Sequence, residues 1–218
     1  MSSGSDLERN VADWTKANAD YTDRSAAAAW AKEKITPPIV LASTSPQRRA
    51  ILEQLGIPFE LAAPDYEELG EDPLELAAGK ARSLAVDERP VLGVDTIVRC
   101  DGRVYGKPVD AGEAAAMLQA LSRREHEVVS GLCLRTLAWE ELRTETTRVV
   151  FRPLTPRDVA AYVAAGEWEG RAGGYAIQGR GAALVERIDG DYLNVVGLPA
   201  ALLVRLLAER FPGLYGFG

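Results

Sequence analysis

Residues 91–108 read VLGVDTIVRCDGRVYGKP, and the fold turns on how that stretch divides. Val91 to Val98 is apolar without alternation apart from one acid, which predicts a central strand covered on both faces rather than a strand with one wet side. Asp101-Gly102 is a strong hairpin signal, so the chain is expected to turn back as RVYG, antiparallel to the strand before it. Working outward, PPIVLAS and IPFELAAP are further strand candidates, and HEVVSGLCLRTL and TETTRVVFRPL alternate like antiparallel strands. Between them, helical stretches start at Pro46, Pro73, Glu113 and Pro156, and LPAALLVRLLAERF closes the chain as an amphipathic helix. Strands mixed with helices in this order predict an α/β domain of three layers, α/β/α, around a mixed sheet.

The acid in the central run is Asp95. A carboxylate buried unpaired among Val, Leu, Gly and Ile would be very costly, so it needs a cation, a metal or a strand end that opens on a cleft. Ligands of open α/β sheets sit at strand ends, which makes Asp95 a candidate functional residue. In YGKP, Gly106 and Pro108 constrain a loop that can return Lys107 to the same cleft, where it would act as a point cation on phosphate. APDYEE places Asp65, Glu67 and Glu68 after a strand, and one of these carboxylates could join Asp95 in holding Mg²⁺.

The stretch LASTSPQRRAILEQLG, residues 41–56, poses an electrostatic question. Ser45 suits a helix N-cap with Pro46 at the first position, Ile51, Leu52 and Leu55 form the apolar stripe, and Gly56 ends the helix. Arg48 and Arg49 then fall in the first turn, next to the positive end of the helix dipole, where each cation costs roughly 0.3–1 kcal/mol unless an anion is bound. A phosphate gripped by the free N–H groups and by arginine would resolve the conflict.

Composition excludes several alternatives. The 218 residues are 47% hydrophobic and 26% charged, enough to bury a core, and carry a formal charge of −7, which argues against general binding to nucleic acid or anionic membrane. A single histidine, His126, and two cysteines without CxxC spacing, Cys100 and Cys133, cannot build an ordinary zinc site. His126 is expected to be structural and the cysteines to be core thiols in a reducing compartment. The apolar stretch Val195 to Val204 is about half a membrane span, and a cytoplasmic protein is expected. GRGAAL lacks the last glycine of a dinucleotide fingerprint, and no GxxxxGK[ST] occurs. Residues 1–36, polar and alanine-rich, predict a helical or disordered extension before Pro37-Pro38. Trp14, Tyr21 and the WAKE segment give it a faint resemblance to the opening of small methyltransferases, but no cofactor loop follows.

Taken together, the motifs resemble the Maf family, the septum-formation-inhibitor-like nucleotide pyrophosphatases. Ser43, Ser45, Pro46 and Arg48 match its S-x-S-P-x-R. Gly93, Asp95 and Thr96 match G-x-D-T, and Gly106, Lys107 and Pro108 match G-K-P. Ala172, Gly173, Tyr175, Ile177, Gln178 and Gly179 match A-G-x-Y-x-I-Q-G, and Asn194 to Pro199 match N-V-V-G-L-P. The resemblance runs from about Ile39 to the C-terminal helix. It implies a Maf/ITPase-like fold with a deep cleft, often a homodimer, that hydrolyses nucleoside triphosphates between the α and β phosphates with Mg²⁺, Mn²⁺ or Co²⁺. It implies Asp95 as proton acceptor, with Glu67 as its partner on the metal and Lys107 as a catalytic cation. Ser43, Ser45, Gln47, Arg48, Lys80, Thr96 and Gln178 would line the substrate site. Thr96 and the YAIQG block resemble the branch acting on dTTP, UTP and modified pyrimidine nucleotides, whereas Gln47 departs from the arginine of that branch and from the tryptophan of the 7-methyl-GTP branch. A broad nucleotide pyrophosphatase, or a nucleotide-binding regulator of septation without turnover, are the alternatives. Arg123 also replaces the family's glycine in an LSG turn.

Overall fold

The computed structural model describes residues 36–217, so the extension expected over residues 1–36 lies, but for Thr36, outside the described residues. In chain order the elements are β1 (Ile39–Ala42), α1 (Pro46–Gln54), β2 (Phe59–Ala62), α2 (Pro73–Arg82), β3 (Val91–Cys100), β4 (Arg103–Tyr105), α3 (Ala111–Leu121), β5 (Glu125–Arg135), β6 (Glu140–Phe151) and α4 (Pro156–Ala164). Two 3₁₀ turns, Ala172–Gly174 and Gly179–Leu184, lead to β7 (Val185–Asp189), α5 (Tyr192–Val196) and α6 (Ala200–Arg210). The helix starts are chemically specified: Ser45, Asp72, Asp110 and Thr155 each accept a hydrogen bond from the first turn of the helix they precede. Thr155 and Asp158 complete a reciprocal capping box.

The seven strands form one mixed sheet in the order β2-β1-β3-β5-β6-β7, with β4 paired to β3. β1 is parallel to β2 and β3, whereas β3, β5, β6 and β7 follow one another antiparallel. The hairpin forms as its sequence demands, with Asp101 at φ 48° and Gly102 at φ 75°, both in the left-handed region.

Alternation along the strands sets the layers. Leu41, Leu92, Val94, Leu132 and Leu134 pack with α1 and α6 on one face. Val40, Ala42, Val91 and Cys133 pack with Ala77, Ala78 and Ala81 of α2 on the other. Further along the long strands, Val98, Val128, Val149 and Phe151 build another core with α3 and α4.

α2 lies unusually close to the sheet. A Cβ on Gly93 would fall 2.1 Å from the Ala77 carbonyl oxygen, and one on Gly131 would fall 2.1 Å from that of Pro73. Small residues on both partners thus bring the helix backbone onto β3 and β5, which sets the depth of Lys80.

Candidate active site

A cavity of about 380 Å³, within the size range of small-molecule sites, opens between these cores. Its walls come from the β1–α1 loop, α2, the middle of β3, the loop after β4, the 3₁₀ region and the turn after α5.

The β1–α1 loop resolves the arginine conflict by separating the two side chains. Arg49 turns outward and pairs with Glu53 one helical turn on, at 2.8 Å. Arg48 turns into the cavity, where Nε donates to the Gly197 carbonyl at 2.9 Å and Nη1 donates to Ser43 Oγ at 3.1 Å. One edge of the guanidinium is thereby fixed, leaving further N–H donors available to a ligand. Burial lowers the Arg48 pKa below its ordinary value, opposed by the charges of Asp95 and Glu68. Ser43 Oγ also accepts from the Ser45 N–H at 3.1 Å. The Ser45 hydroxyl caps the helix and donates to Gln47 Oε1 at 3.2 Å, which ties the Gln47 side chain to the loop.

On the facing wall Lys80, 5% exposed, donates to Asp95 Oδ1 at 2.5 Å, and Asp95 is itself 7% exposed. The buried carboxylate therefore has the cation its surroundings require. Lys80 also contacts Glu68 Oε1 at 2.8 Å. Burial raises the Glu68 pKa, but the Lys80 hydrogen bond and charge, with Lys107 and Arg48 behind them, outweigh it and hold the carboxyl below its usual value.

Glu67, expected beside Asp95, is exposed and does not line the cavity; Glu68 does. The Tyr66 ring fills the place of a Cβ on Gly79, one residue before Lys80, so the segment carrying both glutamates packs against α2 next to that lysine. Lys107, Thr96, Gln47 and Gln178 all line the cavity. Thr96 Oγ1 lies 2.8 Å from Ser130 Oγ across the β3–β5 pair. Gln178 precedes the second 3₁₀ turn, whose first amides are capped by Glu167 through Arg180 N–H at 2.9 Å and Gly181 N–H at 3.3 Å.

Some contributors carry no side-chain signature in the sequence. The Gly197 carbonyl holds Arg48, and its turn is pinned because buried Asn194 donates to the Val128 carbonyl and to Thr147 Oγ1, each at 3.0 Å. His126 stands apart, 1% exposed and hydrogen-bonded through Nε2 to the Tyr175 hydroxyl at 2.8 Å. Burial pushes its pKa down to about 4, as for a neutral core residue. Cys133 is likewise inert, its thiol pushed up to about 12 by burial first and the charge of Glu140 second.

Among the described residues no group of three or more His, Cys, Asp or Glu converges as a metal cage. Asp95 and Glu68 nevertheless both line the cavity and both contact Lys80, and two carboxylates are a donor set that fits Mg²⁺, an ion that takes one or two carboxylates and completes its shell with phosphate oxygens and water.

A family model described as Maf-like protein matches residues 38–210. A dTTP/UTP pyrophosphatase of Deinococcus radiodurans is 43% identical over 192 residues, covering 84% of this chain and 96% of the relative. Relatives of the same name from Thermus thermophilus and Symbiobacterium thermophilum are 43% and 45% identical, covering 80% and 78% of this chain and 95% and 93% of theirs. The motifs that build this cavity and the extent of these matches agree: the chain belongs to the Maf family.

Proposed function

We propose that this protein is a nucleoside triphosphate pyrophosphatase that converts dTTP, UTP and related pyrimidine nucleotides to the monophosphate and pyrophosphate. The observation that carries this is the buried Lys80–Asp95 pair facing Arg48 and Lys107 across one cavity. Cations alone would suit a binder, whereas a carboxylate in the same cavity supplies a base. The relatives' activity supports the substrate class.

The triphosphate enters with its charge offset by Arg48 and Lys107, and free N–H groups at the start of α1 add to that field. Asp95, oriented by Lys80, takes a proton from the water that attacks the α-phosphorus. The new P–O bond forms in line as the bond from the α-phosphorus to the bridging oxygen breaks, and its electron pair leaves with pyrophosphate. Bound Mg²⁺, or Mn²⁺ or Co²⁺ in its place, would be held by Asp95 and Glu68 with phosphate oxygens and would supply positive charge to the triphosphate. We infer a cytoplasmic location from the composition and a homodimer from the family resemblance. Among the described residues no helix is long and apolar enough to cross a membrane.

Hydrolysis of dTTP in ¹⁸O-labelled water tests the reaction. Label in thymidine monophosphate is expected from attack at the α-phosphorus; label in pyrophosphate would overturn that step.

A further inference from the structure

Arg171 also lines the cavity, and no motif or role discussed above accounts for it. Its Nε is buried and has no hydrogen-bond partner among the described residues. A guanidinium N–H withdrawn from water and left unpaired is unfavourable, so the site gains when a ligand supplies the acceptor. Its surroundings hold it there. The Arg171 N–H donates to the Trp168 carbonyl at 3.1 Å, and the Arg171 carbonyl accepts from the Gly174 N–H at 3.0 Å. Two residues on, the Gly173 N–H donates at 3.0 Å to the carbonyl of Gly106, the residue before Lys107. Gly173 has φ 72°, and a Cβ there would press within 3.0 Å of the Val98 side chain, so the turn has little room to relax.

One hydrogen bond therefore joins the turn carrying Arg171 to the loop carrying Lys107. Lys80 is taken up by Asp95 and Glu68, and one edge of Arg48 is held by Ser43 and Gly197, which leaves its other N–H groups to a ligand. Among the described residues neither Lys107 nor Arg171 forms an ion pair. We infer that Arg171 is a substrate-binding residue that grips the β,γ end of the triphosphate, the part that leaves as pyrophosphate. This rests on the reaction proposed above. A neutral pyrimidine ring offers a guanidinium only dipoles, whereas phosphate offers charged oxygens at the spacing of its fork. In-line displacement places the leaving group opposite the water held by Asp95, where a cation offsets the charge that develops.

The test compares the full-length protein with Arg171→Gln and Arg171→Lys, using Mg²⁺-pyrophosphate and thymidine monophosphate in calorimetric titrations and dTTP in steady-state kinetics. In Arg171→Gln, the Kd for pyrophosphate and the KM for dTTP are expected to rise roughly tenfold or more, with the monophosphate Kd within about twofold of the wild type. Arg171→Lys, which keeps the charge and loses the fork, falls between; if Arg171→Gln fails to fold, it is read in its place against the same criteria. Unchanged pyrophosphate binding, or equal weakening of pyrophosphate and monophosphate, would overturn the assignment. If the wild type binds pyrophosphate through Arg171 and hydrolyses no nucleotide, the proposed reaction falls and the anion contact stands, so the two claims fail separately.

Discussion

The Lys80 ammonium lies 2.5 Å from the Asp95 carboxylate, and both groups are almost fully withdrawn from solvent. Lys80 comes from a helix and Asp95 from the middle of a central strand, so the contact reports how closely α2 is seated on the sheet. Replacing Lys80 by Met keeps the stem and removes the charge. Removing one partner of a buried pair is expected to cost roughly 3 kcal/mol in urea unfolding. Turnover should fall about 100-fold or more, because Asp95 loses its orientation as well as its counter-charge.

Gly131 provides a test remote from the chemistry. A Cβ there meets backbone of Pro73 rather than a flexible side chain, so Gly131→Ala forces α2 away from β5. Overpacking of this kind is expected to cost roughly 1–3 kcal/mol. Because Lys80 rides on the displaced helix, kcat should fall as well. Normal kcat together with lowered stability would show that the seating of α2 does not set the Lys80 position.

His126 predicts a pH dependence of stability rather than of turnover. Its pKa falls from 6.5 to about 4 in the folded chain because burial disfavours the imidazolium. Between those values the unfolded chain binds the proton and the folded chain does not. Its contribution is therefore complete above pH 6.5 and is lost progressively as the pH falls through about 4. The shift corresponds to about 3 kcal/mol. In urea titrations from pH 7.5 to 4, wild type should lose that much more than His126→Gln, whose amide retains a partner for Tyr175; parallel losses would refute the assignment.

Arg123 has φ 62°, in the left-handed region that favours glycine, the residue the family resemblance implies at this position. A side chain in the left-handed region costs about 1 kcal/mol. Arg123→Gly is expected to raise the urea midpoint by a comparable free energy with unchanged kcat, which equilibrium unfolding and a dTTP assay would check.

What the sequence revealed was what local chemistry decides. Ser45-Pro46 names a helix start, Asp101-Gly102 names a hairpin, and the unbroken apolar run around Asp95 names a central strand whose acid needs a cation. β7 and α5 were missed because VERIDGDYLNVV has neither a clean alternation nor enough length for a helical stripe. That Glu68 rather than Glu67 contacts Lys80 is a tertiary contact between residues that motif spacing treats alike. The Gly197 carbonyl is a backbone atom and leaves no compositional trace. Arg171 stands just before the A-G-x-Y block without belonging to it, and its link to the Lys107 loop is a backbone hydrogen bond, Gly173 N–H to the Gly106 carbonyl, that no motif records.

The most direct test of the central claim is pyrophosphate release with Mg²⁺ from dTTP, UTP, CTP, 5-methyl-UTP, GTP, 7-methyl-GTP and ATP, measured for wild type and Asp95→Asn. Asparagine keeps the size of the side chain and removes the base. Rapid release from dTTP and UTP-like substrates, reduced about 1,000-fold or more in Asp95→Asn, is the expected result. Near-normal turnover in the variant, or no release from any nucleotide by the wild type, would contradict it.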